Sequence, residues 1–525
     1  MSNEYAPLSA GTTARGVATS PLLAAGLLLV AAAVGLGAIG LSSAQPGPAI
    51  VWSSVALAVY CTGLLLLTGL SLGTGGLGLA AWRIGSWSLV WCVLAFGLAT
   101  ITWIAPQTGA AAEIVPASVM RALWLTAVAF TLLAAGYCAG PRAMAVRQAG
   151  RVTATLRRRF TDDIRSPAVP WLLFTIGLAC QAATQATTGR FGYVGNVASS
   201  VSSASAYDQY LALAGECVPL AVAAAAVRAY RTGERGAWLT LGVLFTAAII
   251  LGAVGGTKQS FVVAILAVII PRTVSRGRLP WGGVLAAVLS FLLLVIPFNL
   301  AYRASARGAV TLSTAGAVAA APSILRQVVA TDLRPSVLGQ SASFLAQRIR
   351  SIDSPAIIMQ RTPGQIPYSS PGQLAEAPVL DVIPRIVWPG KPILAVGYQV
   401  SQEYFELPSN LYTSSDVTPE ADLYRHGGWI PVIAGTFLLG CLFRVLDDVA
   451  DVSRNLHGSF LVILLFPQIV QAGSDWSTLL AGMPGIILLW LVVVAFSFGR
   501  QTAPVISIPL ANRPLRKARP HASTR

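Results

Sequence analysis

The sequence predicts an all-α protein: a polytopic transmembrane helix bundle of about 12 spans, with one long external loop containing amphipathic helices. Three observations predict it. Charged residues make up 11% of the 525 and hydrophobic residues 55%, whereas a soluble domain carries about 25% charge; the mean hydropathy is +0.67. Apolar runs close to the roughly 20 residues that cross a bilayer recur along the chain. Basic residues collect on alternate connections between those runs, which is the bias of cytoplasmic loops.

Taken in order, the apolar runs lie near 21–43, 49–71, 86–106, 119–141, 169–188, 209–229, 237–255, 259–271, 281–300, 428–447, 457–473 and 478–498. The eighth is short and is the weakest span. With the N-terminus in the cytoplasm, the arginines of 142–165 fall inside, as do Arg228, Arg231, Arg235, Arg272, Arg276, Arg278, Arg444 and Arg454. Residues 1–20 then form a cytoplasmic N-terminal segment without a cleavable signal pattern. Residues 21–300 hold helices 1–9, 301–427 the long external loop and expected active-site region, 428–498 helices 10–12, and 499–525 a basic cytoplasmic tail. Both termini are expected in the cytoplasm and the loop outside the cytoplasmic (inner) membrane.

The net charge of +16 first points to nucleic acid. Its placement on one side of the bundle points instead to membrane topology and anionic headgroups, so no nucleic-acid partner is expected. All six cysteines fall within predicted spans, and none has a CxxC or CxxH partner. Neither disulfides nor zinc are expected. No P-loop and no HExxH motif is present, and nothing indicates a metal site.

The loop 301–427 is nearly neutral, with ten basic and nine acidic residues. Ile324, Leu325, Val328 and Val329 recur at helical spacing, as do Leu338, Leu345, Ile349 and Ile352. They predict amphipathic helices on the outer leaflet or packed over the bundle. Beyond Thr362 frequent prolines and glycines predict an extended, irregular path.

Candidate functional residues follow from charge in this setting. Lys258, Arg303, Arg307, Arg348, Arg350, Arg385, Lys391 and Arg425 are cations on the predicted outer side. Converging there, they would suit a lipid pyrophosphate, since Arg pairs with phosphate oxygens and Lys adds a point charge. The competing reading is contact with headgroups or loop acids. Of the three histidines only His426 is predicted outside, where imidazole can take a proton from a hydroxyl. It could equally anchor a helix end, and Glu403, Asp416, Glu420 and Asp422 are rival bases. Glu216 falls inside a predicted span, which makes it a functional candidate or half of a structural pair.

The run Ile383-Pro384-Arg385 through Trp388-Pro389 to Lys391-Pro392, with Thr413 to Asp416 and Tyr424 to Gly428 after it, resembles the O-antigen polymerase (oligosaccharide repeat-unit polymerase) family. Gly435 and Gly440 in the next helix and Gly256-Thr257-Lys258 add to the likeness, which covers roughly the C-terminal half. The resemblance implies a glycosyltransferase, a polysaccharide polymerase joining polyprenyl-pyrophosphate-linked repeat units outside the membrane without cofactor or metal. It implies His426, Arg385 and Arg425 as catalytic residues. Lys258, Arg303, Arg307, Arg348, Arg350, Lys391, Trp388 and Tyr424 would bind substrate. The partners implied are that lipid-linked glycan, the bilayer, and a chain-length regulator and flippase of the same pathway. The alternatives are an O-antigen ligase-like transferase and, in another class, a lipid-linked glycan flippase. A polyprenyl-phosphate-sugar transferase ranks lower, since the first external loop lacks acids. Mostly clean helices without a repeated half weigh against a transporter.

Overall fold

The computed structural model describes residues 19–71, 82–139, 144–188, 190–191, 194–195, 207–299, 301–302, 314–331, 345–383, 387–388, 390–391, 395–408, 414–452, 455–470 and 475–501. Among these, ten helices are long and apolar enough to cross a membrane, and the chain is a multi-pass membrane protein. Two of the twelve expected spans fall outside that set. The run 169–188 forms a full helix and 457–473 a shorter one. The eighth span, which looked short, extends to Arg276.

Helices α1 (Thr19–Ser42) and α2 (Pro46–Ser71) form a hairpin. Leu27, Leu28 and Val34 of α1 are exposed, as a lipid-facing helix requires. Helix α3 (Ile84–Trp91) continues as a π-helical turn, Cys92–Leu98, and a 3-10 turn, Ala99–Ile104. A π turn frees a carbonyl from the regular ladder. Here the Ala95 carbonyl accepts the backbone N–H of Ser351 at 3.3 Å, so the irregular span holds a point midway along the long loop.

Helix α4 (Pro116–Ala139) crosses a later span, Trp429–Ala450, at close range. Gly136 and Gly440 face each other's partner helix, and a Cβ on either would run into a carbonyl. Asp447 of that later span accepts the N–H groups of Ile84 (2.7 Å) and Gly85 (3.2 Å) and the Tyr137 hydroxyl (2.6 Å). This buried carboxylate thereby satisfies the N-terminal amides of α3.

Helix α5 (Met144–Arg159) is basic and amphipathic and leads into strand β1 (Phe160–Ile164). Helix α6 (Val169–Thr188) follows, then the short strand pair β2 (Arg190–Phe191) and β3 (Val194–Gly195). The sixth span is broken. It runs as α7 (Asp208–Gly215) and α8 (Cys217–Thr232), with Glu216 between them. Pro219 has no N–H to offer Gly215 four residues back. The freed Gly215 carbonyl accepts Nε2 of Gln181 from α6 at 3.2 Å. The expectation of mostly clean helices therefore fails at this span and at the π turns. Helices α9 (Arg235–Val254), α10 (Lys258–Arg276) and α11 (Trp281–Ser290), the last extended by a π turn at Phe291–Val295, complete this half.

The long loop is more helical than its prolines predict. It contains α12 (Thr314–Thr331), α13 (Asp353–Arg361), α14 (Gly372–Val382), α15 (Val396–Glu403) and α16 (Pro419–Arg425). Two of its prolines open helices, and two others, Pro322 and Pro378, lie inside them. Pro355 and Pro419 sit in first turns, where a missing N–H costs nothing. Nor does all of the loop lie over the bundle. Ile352, Ala356, Ile357 and Ile358 are fully buried in the main core. The last described elements are α17 (Trp429–Ala450), α18 (His457–Val470), α19 (Trp476–Ser497) and β4 (Phe498–Arg500), which pairs antiparallel with β1.

Candidate functional site

Helix α16 gathers the strongest cluster of the sequence candidates. Thr418 caps it, its hydroxyl accepting from the Ala421 N–H, and Pro419 starts it. Helical spacing then places Asp422, Arg425 and His426 on one side. Arg425 Nη2 donates to Asp422 Oδ1 at 3.0 Å, and Ser477 of α19 donates to Oδ2 at 3.4 Å. Asp422 is wholly buried and Arg425 nearly so.

The His426 ring is oriented from both sides. Its Nδ1 lies 2.8 Å from the Asp422 carbonyl oxygen and 3.5 Å from Asp422 Oδ1. A carbonyl only accepts, so Nδ1 carries the proton and Nε2 keeps its lone pair. Nε2 lies 3.3 Å from Oε1 of Gln373, which only accepts, so a neutral ring with Nδ1 protonated requires the amide turned to present its NH2. Gln373 is exposed, so the buried ring stands one side chain below the surface. Burial, foremost, pushes the imidazole below its ordinary pKa, against the pull of Asp422. The ring is thus neutral near pH 7, with an unprotonated nitrogen facing outward.

Aromatic rings flank this point. Tyr424 packs edge-on against Tyr368 (6.3 Å between centroids) and Trp429 (6.4 Å). Tyr368 and Trp429 are exposed. Gly428, at φ +70°, lets the Tyr368 hydroxyl come close where a Cβ would crowd it.

Two further carboxyls stand below. Asp475 caps α19, accepting from the Thr478 N–H and hydroxyl at 2.8 Å each. Burial, with Asp422 next, raises it to about 6. Glu420 lines a cavity of about 50 Å³ among Trp91, Phe130, Leu439 and Gln468. Burial raises it to about 7, and its Oε1 meets no hydrogen-bond partner among the described residues.

The remaining sequence candidates are dispersed. Tyr424, Arg425 and His426 stand together. Arg350 is buried and saturated, donating to Asp353 Oδ2 (2.7 and 3.0 Å), Thr102 (3.0 Å) and Gln107 (2.7 Å), and lying over Trp103. Arg348 is exposed beside it, and Asp416 accepts from Ser351 at 2.9 Å. Lys391 is buried with Nζ 3.3 Å from the Ile383 carbonyl, at the far end of α14 from Gln373. The ten residues between Gln373 and Ile383 set the two ends about 15 Å apart. Trp388 is exposed near Lys391. Glu403 is exposed at the end of α15, and Lys258 is half-buried at the start of α10. Arg303, Arg307 and Arg385 lie outside the described residues, as do Thr413 and Pro389 of the resemblance.

Sequence reasoning missed Gln373, Ser477 and Asp475. Asp475 had a local signal, an Asp three residues before Thr478 at the head of an apolar run. The other two reach the site only through the fold.

Fold and site together define a helical multi-pass membrane protein with a polar, titratable cluster at one end of the bundle. Residues 192–491, more than half of the chain, match the family model described as Domain of unknown function (DUF8712), and the chain belongs to that family. Neither a curated protein nor a solved structure matches it.

Proposed function

We propose that the protein is a membrane glycan polymerase acting on polyprenyl-pyrophosphate-linked repeat units at the external face of the cytoplasmic membrane. The observation that carries the reading is His426. It is an imidazole held by Asp422, its Nε2 under the exposed amide of Gln373, two residues from Tyr424, on which the exposed Tyr368 and Trp429 pack. Aromatic faces suit the C–H faces of sugars, and a neutral imidazole suits a sugar hydroxyl. The resemblance to repeat-unit polymerases supports the same chemistry.

In this reading displacement of Gln373 opens Nε2 to an acceptor hydroxyl. The hydroxyl proton passes to Nε2 as its oxygen bonds to the anomeric carbon of the donor. The bond from that carbon to the pyrophosphate oxygen breaks, and the electron pair leaves with the lipid pyrophosphate. Arg425, next in the chain and anchored by Asp422, is the cation proposed to meet the developing charge. Lys391, at the other end of α14, is suited to a remote part of the donor rather than to the reacting bond. Arg385, six residues before Lys391, keeps its proposed role on the pyrophosphate.

One observation favours a second reading. Spans broken beside a polar cavity, as at Glu216, are a feature of transporters, which suits a lipid-linked glycan flippase. A deletion strain analysed for lipid-linked glycans separates the readings. Loss of polymer with single repeat units on the outer leaflet is expected. Units trapped on the inner leaflet would assign a flippase, and lipid-linked polymer that never reaches its acceptor a ligase.

A further inference from the structure

The break at Glu216 opens onto a cavity of about 300 Å³, far from helix α16 in sequence. Its walls come from α6, the α7–α8 break, the end of α9 and the start of α10. Gln181, Thr184, Glu216, Thr257, Gln259 and Ser260 supply polar groups, and Gly215, Gly252 and Gly255 bring backbone to the surface of the cavity. It lies at the ends of α8 and α10 opposite Arg228, Arg231, Arg272 and Arg276. Glu216 stands eight residues into its span, about 12 Å along the helix axis.

The carboxylate is the unusual group here. Among the described residues no hydrogen bond or ion pair reaches it, although it is half-buried within a membrane span. The polar side chains that line the cavity with it are neutral and can both donate and accept, and Thr257 and Ser260 already bond each other at 2.6 Å. A carboxylate in such a place is costly unless a ligand completes it.

We propose that this cavity is a saccharide-binding site, with Glu216 accepting two hydroxyls of one sugar ring. The volume equals about ten waters, close to one ring with its substituents. A mixed lining of amides and hydroxyls suits groups that donate and accept, as sugar hydroxyls do. A lone carboxylate without a second acid is poorly suited to a metal cation, and no group of three or more His, Cys, Asp or Glu that could hold one occurs among the described residues. The binding claim rests on the cavity alone. Its role as the acceptor-side subsite of a polymerase rests on the reading above.

The test uses the full chain in lipid nanodiscs. A water-soluble carbodiimide with an amine labels carboxyls, and peptide mass spectrometry follows Glu216, with exposed Glu403 as the reference. The probes are galactose, N-acetylglucosamine and rhamnose, and separately sodium and potassium chloride. At least one sugar should slow labelling of Glu216 severalfold and leave Glu403 unchanged. Ser260→Ala, a conservative change, should weaken that protection about fivefold, the loss of one hydrogen bond. Absence of protection by every sugar overturns the proposal, as does protection by a cation alone. A deletion that leaves cellular polymer intact while sugar protects Glu216 removes the polymerase and keeps this site. Lost polymer without protection does the reverse.

Discussion

Two acidic groups show opposite solutions to the same physical problem. Asp422 is wholly buried and has Arg425, Ser477 and the His426 ring around it. Glu216 sits inside a span with no hydrogen bond or ion pair to its carboxylate among the described residues, on a cavity of about 300 Å³. A saturated carboxylate fixes geometry, while an unsaturated one beside open space is suited to take up something else. Asp447, held by two backbone amides and a tyrosine, belongs with the first kind.

The contrast breaks most visibly at Asp422. Asp422→Ala leaves Arg425 buried and unpaired, and should destabilise the fold by about 3–5 kcal/mol. Thermal unfolding in detergent measures it, and a loss below about 1 kcal/mol would mean that Arg425 finds another partner. Glu420 sharpens the comparison through pH. Its folded pKa of about 7 lies above the ordinary 4.5, so protonation stabilises the fold. That stability is fully present below pH 4.5 and is lost as pH rises through about 7, by about 3 kcal/mol at most. Glu420→Gln should flatten the stability profile over this window and gain on the native chain above it. Parallel profiles would contradict the raised pKa.

Next comes His426. In the polymerase reading, His426→Ala should lower turnover about 100-fold, equivalent to about 2.7 kcal/mol, with donor binding little changed. In vitro polymer assays decide it, and an unchanged rate would pass the base role to a carboxylate. The smallest effect belongs to Glu216. Glu216→Gln removes no partner and relieves an uncompensated charge, so thermal unfolding should show no loss of stability and, if anything, a gain. If it unfolds the chain as Asp422→Ala does, the two carboxylates are alike and the contrast fails.

The membrane class and most spans were legible because hydropathy is a local property. What escaped was local geometry set by distant contacts. The π turn at Cys92–Leu98 has meaning only with Ser351 docked on Ala95. Pro419 reads as a breaker because its place in a first turn depends on where its helix begins, and Pro378 reads as one although it lies inside α14. Within α16 the Asp422, Arg425 and His426 spacing was readable, since it lies within one helix. Gln373 is 53 residues away from His426 and Ser477 55 away from Asp422, so no periodicity joins them. Glu216 was visible as a charge in a span, but its cavity was not, because three other helices build it.

The crossing at Gly136 and Gly440 bears on how this chain can be divided. The family match begins at residue 192, after α4. Yet α17, inside the match, meets α4 so closely that neither helix tolerates a Cβ at the crossing. The region that the family model covers is thus smaller than the unit that packs together. A fragment trimmed to the shared region would present a glycine-lined furrow to lipid, shaped for a helix it no longer carries. Co-expression of the two pieces, rather than either alone, is the form in which a split version of this protein should regain its assembly.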